Sequence, residues 1–463
     1  MIRGRSTPQP VRLGQMDRSL WAVLAGTFSL RFSTGLTVAM LGVYLAALPK
    51  HGGPEVGAIT LGVFSALFFL AELVLSPVFG ILSDRQGYRR VMLYGPMFGA
   101  VAVIMTGFTA NLGLPGPLAL LLAPITGSLL LLGLTRILEG ASTAASVPSI
   151  LGYIAQVTAG DEWLRGKASA RLEGATLLGL GAGFAAAPVT FALLGPTAFF
   201  LNAILYFVAF LVFRTVKRLP RGDDRGRDPG AVDADAGAGA TPPVGFERYA
   251  ELLRTSHVWL LAPTWIAVNA SIGLWFSQSI FQFAKANPDF PTQRLMRGFS
   301  PVEISATAVV IGIIFGLGLL YWGNRFKNLR RTTIILYGIL GGGALVAAGL
   351  VVNHGLNLPL VVILPAAAVA AFGLFVLAGA TPAALGLLAD ISERFPNDRG
   401  AMMGLYSVFL AVGQIIGALI GGFAANGAGI DGMLIATAVL LVVALLPLAR
   451  LRQAEDPVTG MIG

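Results

Sequence analysis

Twelve times along this chain a stretch of roughly 20 residues or more runs with almost no charge and ends at arginines, lysines or Pro/Gly clusters. In hydrocarbon every backbone N–H and C=O must be satisfied within the segment, so stretches of this length are restricted to transmembrane helices. Composition agrees, because 55% of residues are hydrophobic and only 12% are charged. A soluble domain carries about 25% charged residues, and a disordered chain needs low hydrophobicity, so both classes are excluded. The spans are expected at residues 20–48, 56–82, 91–111, 120–156, 168–194 and 197–213, then 259–284, 303–322, 332–352, 358–389, 401–424 and 433–448. The long fourth stretch contains Pro124 and Gly127, which suggests a short helix before the span proper. There are no cysteines, which excludes disulfides and thiolate metal sites.

Assigning alternate connections to opposite sides separates the basic residues. One side collects Arg3, Arg5, Arg12, Arg18, Arg85, Arg89, Arg90, Arg165, Lys167, Arg325, Lys327, Arg330, Arg331, Arg394, Arg399, Arg450 and Arg452, together with the basic residues of 217–254. The other side shows Lys50, Lys285, Arg294 and Arg297. The positive-inside rule then places both termini in the cytoplasm, in a multi-pass protein of the cell's inner or plasma membrane. The net charge of +9 becomes a topological signal, and nucleic acid is not an expected partner. The first apolar run is too long for the core of a cleavable signal peptide and reads as a retained span. Residues 217–250, rich in Gly, Pro, Ala, Asp and Arg, read as a cytoplasmic linker between halves at 1–216 and 251–463. Residues 246–256 have the pattern of a short amphipathic surface helix.

The chain also matches itself at an offset of 234 residues: Pro148, Gly152, Ala155, Arg165, Gly166, Gly179 and Gly183 map onto Pro382, Gly386, Ala389, Arg399, Gly400, Gly413 and Gly417. Two homologous halves imply a pseudo-two-fold axis along the membrane normal and a path between them. Between spans two and three, Gly80-Ile-Leu-Ser-Asp84-Arg85-Gln-Gly87-Tyr-Arg89-Arg90 resembles the loop signature of the major facilitator superfamily. That resemblance covers essentially the whole chain. It implies an all-α integral membrane protein with twelve transmembrane helices in two pseudo-symmetric six-helix bundles. It also implies that Asp84 faces the amino end of span eleven near Arg399, where a helix dipole favours a carboxylate, in a cytoplasmic gate shared with Arg85, Arg89 and Arg90. Arg136-Ile-Leu-Glu139-Gly140 is similar to the motif around a membrane-embedded arginine in proton-coupled members. Gly174, Gly183 and Pro188 keep the spacing of the antiporter motif, although Ala187, Phe191 and Ala192 replace its later glycines.

Ionisable groups in hydrocarbon cost roughly 2.5–3.5 kcal/mol each on insertion scales, so they mark partners, cavities or proton sites. Arg31, Glu72, Arg136 and Glu139 stand near mid-span and can pair statically or carry a proton. Glu72 is the favoured carrier, since Glu139 has an arginine three residues away on the same helix face. Arg171 and Glu173 read as snorkelling interface residues. Trp265, Asn269, Phe276 and Gln278 on span seven are candidates to line a cavity for an organic molecule.

These features predict a proton-coupled exporter of amphiphilic or hydrophobic compounds, drug-like or lipid-like. The expected partners are a small-molecule or lipid substrate, protons and membrane lipids, with the chain acting as a monomer. A proton-coupled symporter of a small organic solute and a non-transporting assembly factor on the same scaffold are the alternatives. No P-loop, metal-ligand cluster or nucleophilic constellation is present in the sequence, so neither an enzyme nor a resident metal or cofactor is expected.

Overall fold

A computed structural model describes residues 13–111, 123–158, 162–219, 258–327, 329–392 and 399–454. All the long elements among them are helices. In the first half these are Leu13–Ala46, Ala58–Gln86, Tyr88–Phe108, Leu129–Val157, Glu162–Leu194 and Ala198–Thr215. In the second they are Val258–Ala284, Pro301–Gly323, Arg331–Asn353, the pair Leu360–Leu377 and Ala380–Ser392, and Arg399–Ala454. The last is helical throughout except at Ala428 and Gly429, where Gly429 takes φ of 59° and the chain reverses into spans eleven and twelve. Span ten is therefore two consecutive helical pieces, while spans one and five begin several residues earlier than their apolar runs. The expected short helix before span four, the linker and the surface helix at 246–256 fall largely or wholly outside the described residues.

Nine described stretches are long and apolar enough to cross a membrane by length and composition. Two of them, 49 and 47 residues long, each contain a reversal. Span four lies outside that set because it is the most polar pass, burying Thr135, Arg136, Glu139, Ser142, Thr143, Ser146 and Ser149. Such a helix is stable in a membrane only when its polar face is covered by protein, which is where these residues lie.

The glycines of the internal repeat explain how the halves are built. On span five, a Cβ at Gly179 would lie 2.6 Å from Phe28 O, and one at Gly183 would lie 2.0 Å from Phe32 O, both on span one. On span eleven, Gly413 and Gly417 stand in the same way against Ile266 O at 2.7 Å and Ala270 O at 2.1 Å, both on span seven. Backbone-to-backbone approach of this kind requires the absence of a side chain. The two pairs are superimposable in sequence register, and Asn269, against Gly413, holds the place that Arg31 holds against Gly179. A single methyl at either deep contact forces the helices apart. Gly183→Ala and Gly417→Ala are each expected to destabilise by about 1–3 kcal/mol, read as a lowered thermal midpoint in detergent.

Apolar clusters show where the two halves meet. One cluster combines Leu36, Met40, Tyr44, Leu45 and Phe191 with Ile280, Phe281 and Ile304, and another joins Ala58 to Ala270, Leu274 and Met433. Both are centred toward the arginine-poor end of the molecule. Among the described residues toward the arginine-rich end, the clusters are confined to one half each: Leu20, Val23, Tyr153 and Phe213 in the first, Leu261, Ile335, Leu388 and Leu451 in the second. Gly174 and Gly181 on span five and Gly312 and Gly316 on span eight face open space. Among the described residues, apolar packing between the halves is thus concentrated at the arginine-poor end.

Candidate functional site

The seal is made by close helix approach and two polar bonds. Gly62 on span two meets span eleven so tightly that a Cβ there would be 2.5 Å from Ala418 O and 3.2 Å from Gly422 Cα. A Cβ on Gly42 of span one would lie 3.3 Å from Ile280 and Phe281 of span seven. Gln278 Nε2 donates to Ala58 O at 3.1 Å, and Lys285 Nζ reaches Glu55 Oε1 at 2.9 Å. The Lys285 ammonium holds the Glu55 carboxyl below its ordinary range. Because Glu55 is exposed, that pair is a minor contributor beside the glycine contacts.

Below this seal the intramembrane charges fall into two groups. Arg136 and Glu139 form a buried ion pair, Arg136 Nη1 to Glu139 Oε2 at 2.8 Å, with both side chains no more than 2% exposed. Thr37 and Tyr206 stand beside Glu139, and Asn202 Nδ2 donates to Thr37 Oγ1 at 2.7 Å and to Ser33 O at 3.0 Å. The pair is therefore held inside the first half among spans one, four and six. Arg31 belongs to a separate group, in which its charge acts on both Glu72 and Glu173. Among the described residues, no ion pair within 4.0 Å fixes Arg31 to either carboxylate, so its charge is shared. Arg31 and Glu72 are each half-buried, in contrast to the enclosed pair on span four.

The two groups sit at one level because span four lies directly on span two. A Cβ on Gly140 would be 2.3 Å from Phe68 O and 3.1 Å from Glu72 N. Removing one member of the Arg136–Glu139 pair leaves a buried uncompensated charge, which costs about 3–5 kcal/mol. Arg136→Gln alone is therefore expected to lower the folded yield and thermal midpoint strongly. The double variant Arg136→Gln with Glu139→Gln is expected to recover most of that loss.

A cavity of about 20 Å³ lies just under the seal, between Val38 and Leu41 of span one, Ser65, Phe68 and Phe69 of span two, Arg136 of span four, and Phe276 and Ser277 of span seven. A larger cavity of about 830 Å³ lies between spans seven, eleven and twelve, walled by apolar residues including Trp259, Ile266, Phe409 and Leu440. Its lining contains no ionisable side chain.

Of the four cavity candidates on span seven, Phe276 lines the central cavity and stacks on Phe184 at 5.0 Å between centroids. The other three lie away from that cavity in this structure. Trp265 is packed inside the second half, and Asn269 is wedged against Gly413 and donates to Trp265 O at 2.9 Å. Gln278 is buried in the seal. Periodicity placed these residues near one face but could not tell which side of span seven meets the other half.

In the loop motif, Gly87 takes φ of 93° as it ends span two and opens span three, a conformation that disfavours a side chain. Gly80 has ordinary room for a methyl, 3.9 Å from Pro148. Arg89 donates to the carbonyl of Arg214 at the end of span six, tying the motif within its own half. Arg85 and Arg90 are exposed. The side chains of Asp84 and Arg399 lie outside the described residues.

The architecture, then, is that of a multi-pass integral membrane protein whose two helical halves enclose a central charged site closed at one end. Residues 23–390 and 274–460 match the family model described as Major Facilitator Superfamily, and the chain belongs to that family. Its members are transporters and not enzymes. The chain is 22% identical to the quinolone resistance protein NorA of Staphylococcus aureus (strain COL), over 88% of this chain and 90% of that one. It is 23% identical to multidrug resistance protein 2 of Bacillus subtilis (strain 168), over 86% and 87%. The crystal structure of the nucleoside transporter NupG superposes with a TM-score of 0.64, covering 93% of this chain and 98% of that one at 13% identity, a likeness of fold.

Proposed function

We propose that this protein is a secondary active transporter that exports amphiphilic or hydrophobic organic compounds in exchange for protons, by alternating access. The observation that carries the reading is the Arg31–Glu72–Glu173 group, with Arg31 and Glu72 half-buried and Glu173 exposed, beneath the end at which the halves are packed together. Two carboxylates sharing one arginine leave one negative charge to be balanced, and a proton balances it when it binds. Protonation of Glu72 frees Arg31 to turn to Glu173, and the changed pairing biases the rocking equilibrium. The distant likeness to NorA and to multidrug resistance protein 2 supports drug-like substrates.

On this reading residues 1–216 and 251–463 are the rocking bodies, 217–250 joins them, and both termini are cytoplasmic. The arginine-rich end then faces the cytoplasm, so the structure is the inward-open state. A monomer contains the whole path. The reading is tested in proteoliposomes by imposing a pH gradient and following an amphiphilic dye. Dye movement against the proton flow supports export by exchange. Absence of any flux points instead to a non-transporting scaffold.

A further inference from the structure

The larger cavity, between spans seven, eleven and twelve, lies within the second half and takes no part in the coupling described above. Its floor is formed by buried Ala267, Ala270, Phe409 and Leu440, and exposed Val443 on its rim continues into the apolar outer surface of span twelve. In a membrane such a surface meets lipid. The volume of about 830 Å³ is that of a ligand site.

The fold alone does not produce this groove. Gly417 meets Ala270 O as Gly183 meets Phe32 O, and Gly413 meets Ile266 O as Gly179 meets Phe28 O. In that register Ala262 corresponds to Leu24 and Trp259 to Trp21. Where span seven offers two alanines and an isoleucine, span one carries a buried Leu24 and the rings of Phe28 and Phe32, 6.3 Å apart. The Arg171 guanidinium lies over Trp21 at 5.4 Å, whereas its repeat mate is the buried Leu405, and Trp259 stands exposed at the end of the groove. On this side the nearby cation comes from span twelve. Thr264 Oγ1 donates to Ala444 O at 3.1 Å, which fixes the depth of span seven against span twelve. Counted toward the arginine-rich end from that bond, Trp259 is level with Arg450, which is exposed and stands two turns beyond Val443 on the same helix face. From Trp259 to Ala270 the groove rises about 16 Å, close to the roughly 15 Å depth of one hydrocarbon leaflet.

From this geometry we infer that the groove is a binding site for one anionic phospholipid, with an acyl chain laid along span seven and the phosphate held by Arg450. An apolar wall one leaflet deep takes the chain, and a guanidinium at its interfacial end takes the phosphate oxygens. The inference goes beyond the transport reading and does not depend on it.

Native mass spectrometry of the purified full chain, delipidated and then titrated with dioleoyl phosphatidylglycerol or dioleoyl phosphatidylcholine, tests the site. The wild type is expected to retain one phosphatidylglycerol per chain, at least about fivefold more tightly than phosphatidylcholine. Arg450→Gln is expected to abolish that preference, and Arg452→Gln, which alters a different face of the helix, to keep it. Ala262→Leu with Ile266→Phe gives span seven the side chains of span one and is expected to lose the retained lipid of either kind. If that filled variant does not fold, the Arg450→Gln and Arg452→Gln pair, both at exposed positions, decides alone. Equal retention of the two lipids by the wild type overturns the inference. So does a preference lost as fully in Arg452→Gln as in Arg450→Gln, or lipid retained unchanged by the filled variant. A second copy of the chain retained in place of lipid, and released by the filled variant, would make the groove a protein interface and equally overturn it.

Discussion

Glu72→Gln abolishes transport driven by a pH gradient while leaving substrate binding measurable: that is the expected result with the largest effect. Glutamine keeps the size and most of the hydrogen-bonding capacity of the carboxyl but cannot take up or release a proton in the working range. Glu72 stands mid-span and half-buried, and among the described residues the charge that acts on it is that of Arg31. The fold tolerates the change, because Glu173 remains to balance Arg31. Binding of an amphiphilic dye in detergent and gradient-driven flux in proteoliposomes separate the two properties. Glu173→Gln, by the same reasoning, lowers the rate while some gradient-driven flux persists. Full flux in Glu72→Gln would remove Glu72 from the coupling.

The second large effect is expected from Gly62→Leu. A side chain there collides with the backbone of span eleven, since even a Cβ falls 2.5 Å from Ala418 O. The collision exists only while the arginine-poor end is closed, so overpacking of about 1–3 kcal/mol falls on one state alone. A differential of that size shifts the balance of states by about 5- to 150-fold. The chain has no cysteine, which makes an introduced Ser65→Cys its sole thiol. Ser65 lines the cavity under the seal. A membrane-impermeant thiol reagent applied from outside cells is expected to label Ser65→Cys much faster in the Gly62→Leu background, and export is expected to fall. Equal labelling in both backgrounds would mean that the glycine contact does not form the seal.

The helices were legible because a membrane leaves an unbranched apolar stretch one structural option. The paired glycines were legible as well, since Gly179 with Gly183 and Gly413 with Gly417 repeat at one offset and make equivalent backbone contacts in the two halves. What sequence could not supply was partnership across helices. Glu173 reads as a snorkelling residue near a span end. Yet Gly179 presses span five onto span one at Phe28 and Arg31, and this brings Glu173 within the field of Arg31. Span seven shows the same limit. Its polar and aromatic residues lie close enough in angle that only tertiary packing sends Phe276 to the cavity, Gln278 to the seal and Trp265 to the core. The seal itself left no motif, because a glycine such as Gly62 does not announce that its partner is 356 residues away at Ala418.

Proton-coupled export is tested most directly by the protons themselves. In sealed vesicles oriented with the cytoplasmic face outward, a respiratory gradient acidifies the interior, and a trapped pH indicator reports it. Addition of an aromatic amphiphile is expected to raise the internal pH in wild-type vesicles, because each molecule pumped inward releases protons outward, and to do nothing with Glu72→Gln. Accumulation of the compound without any change in internal pH would contradict exchange for protons.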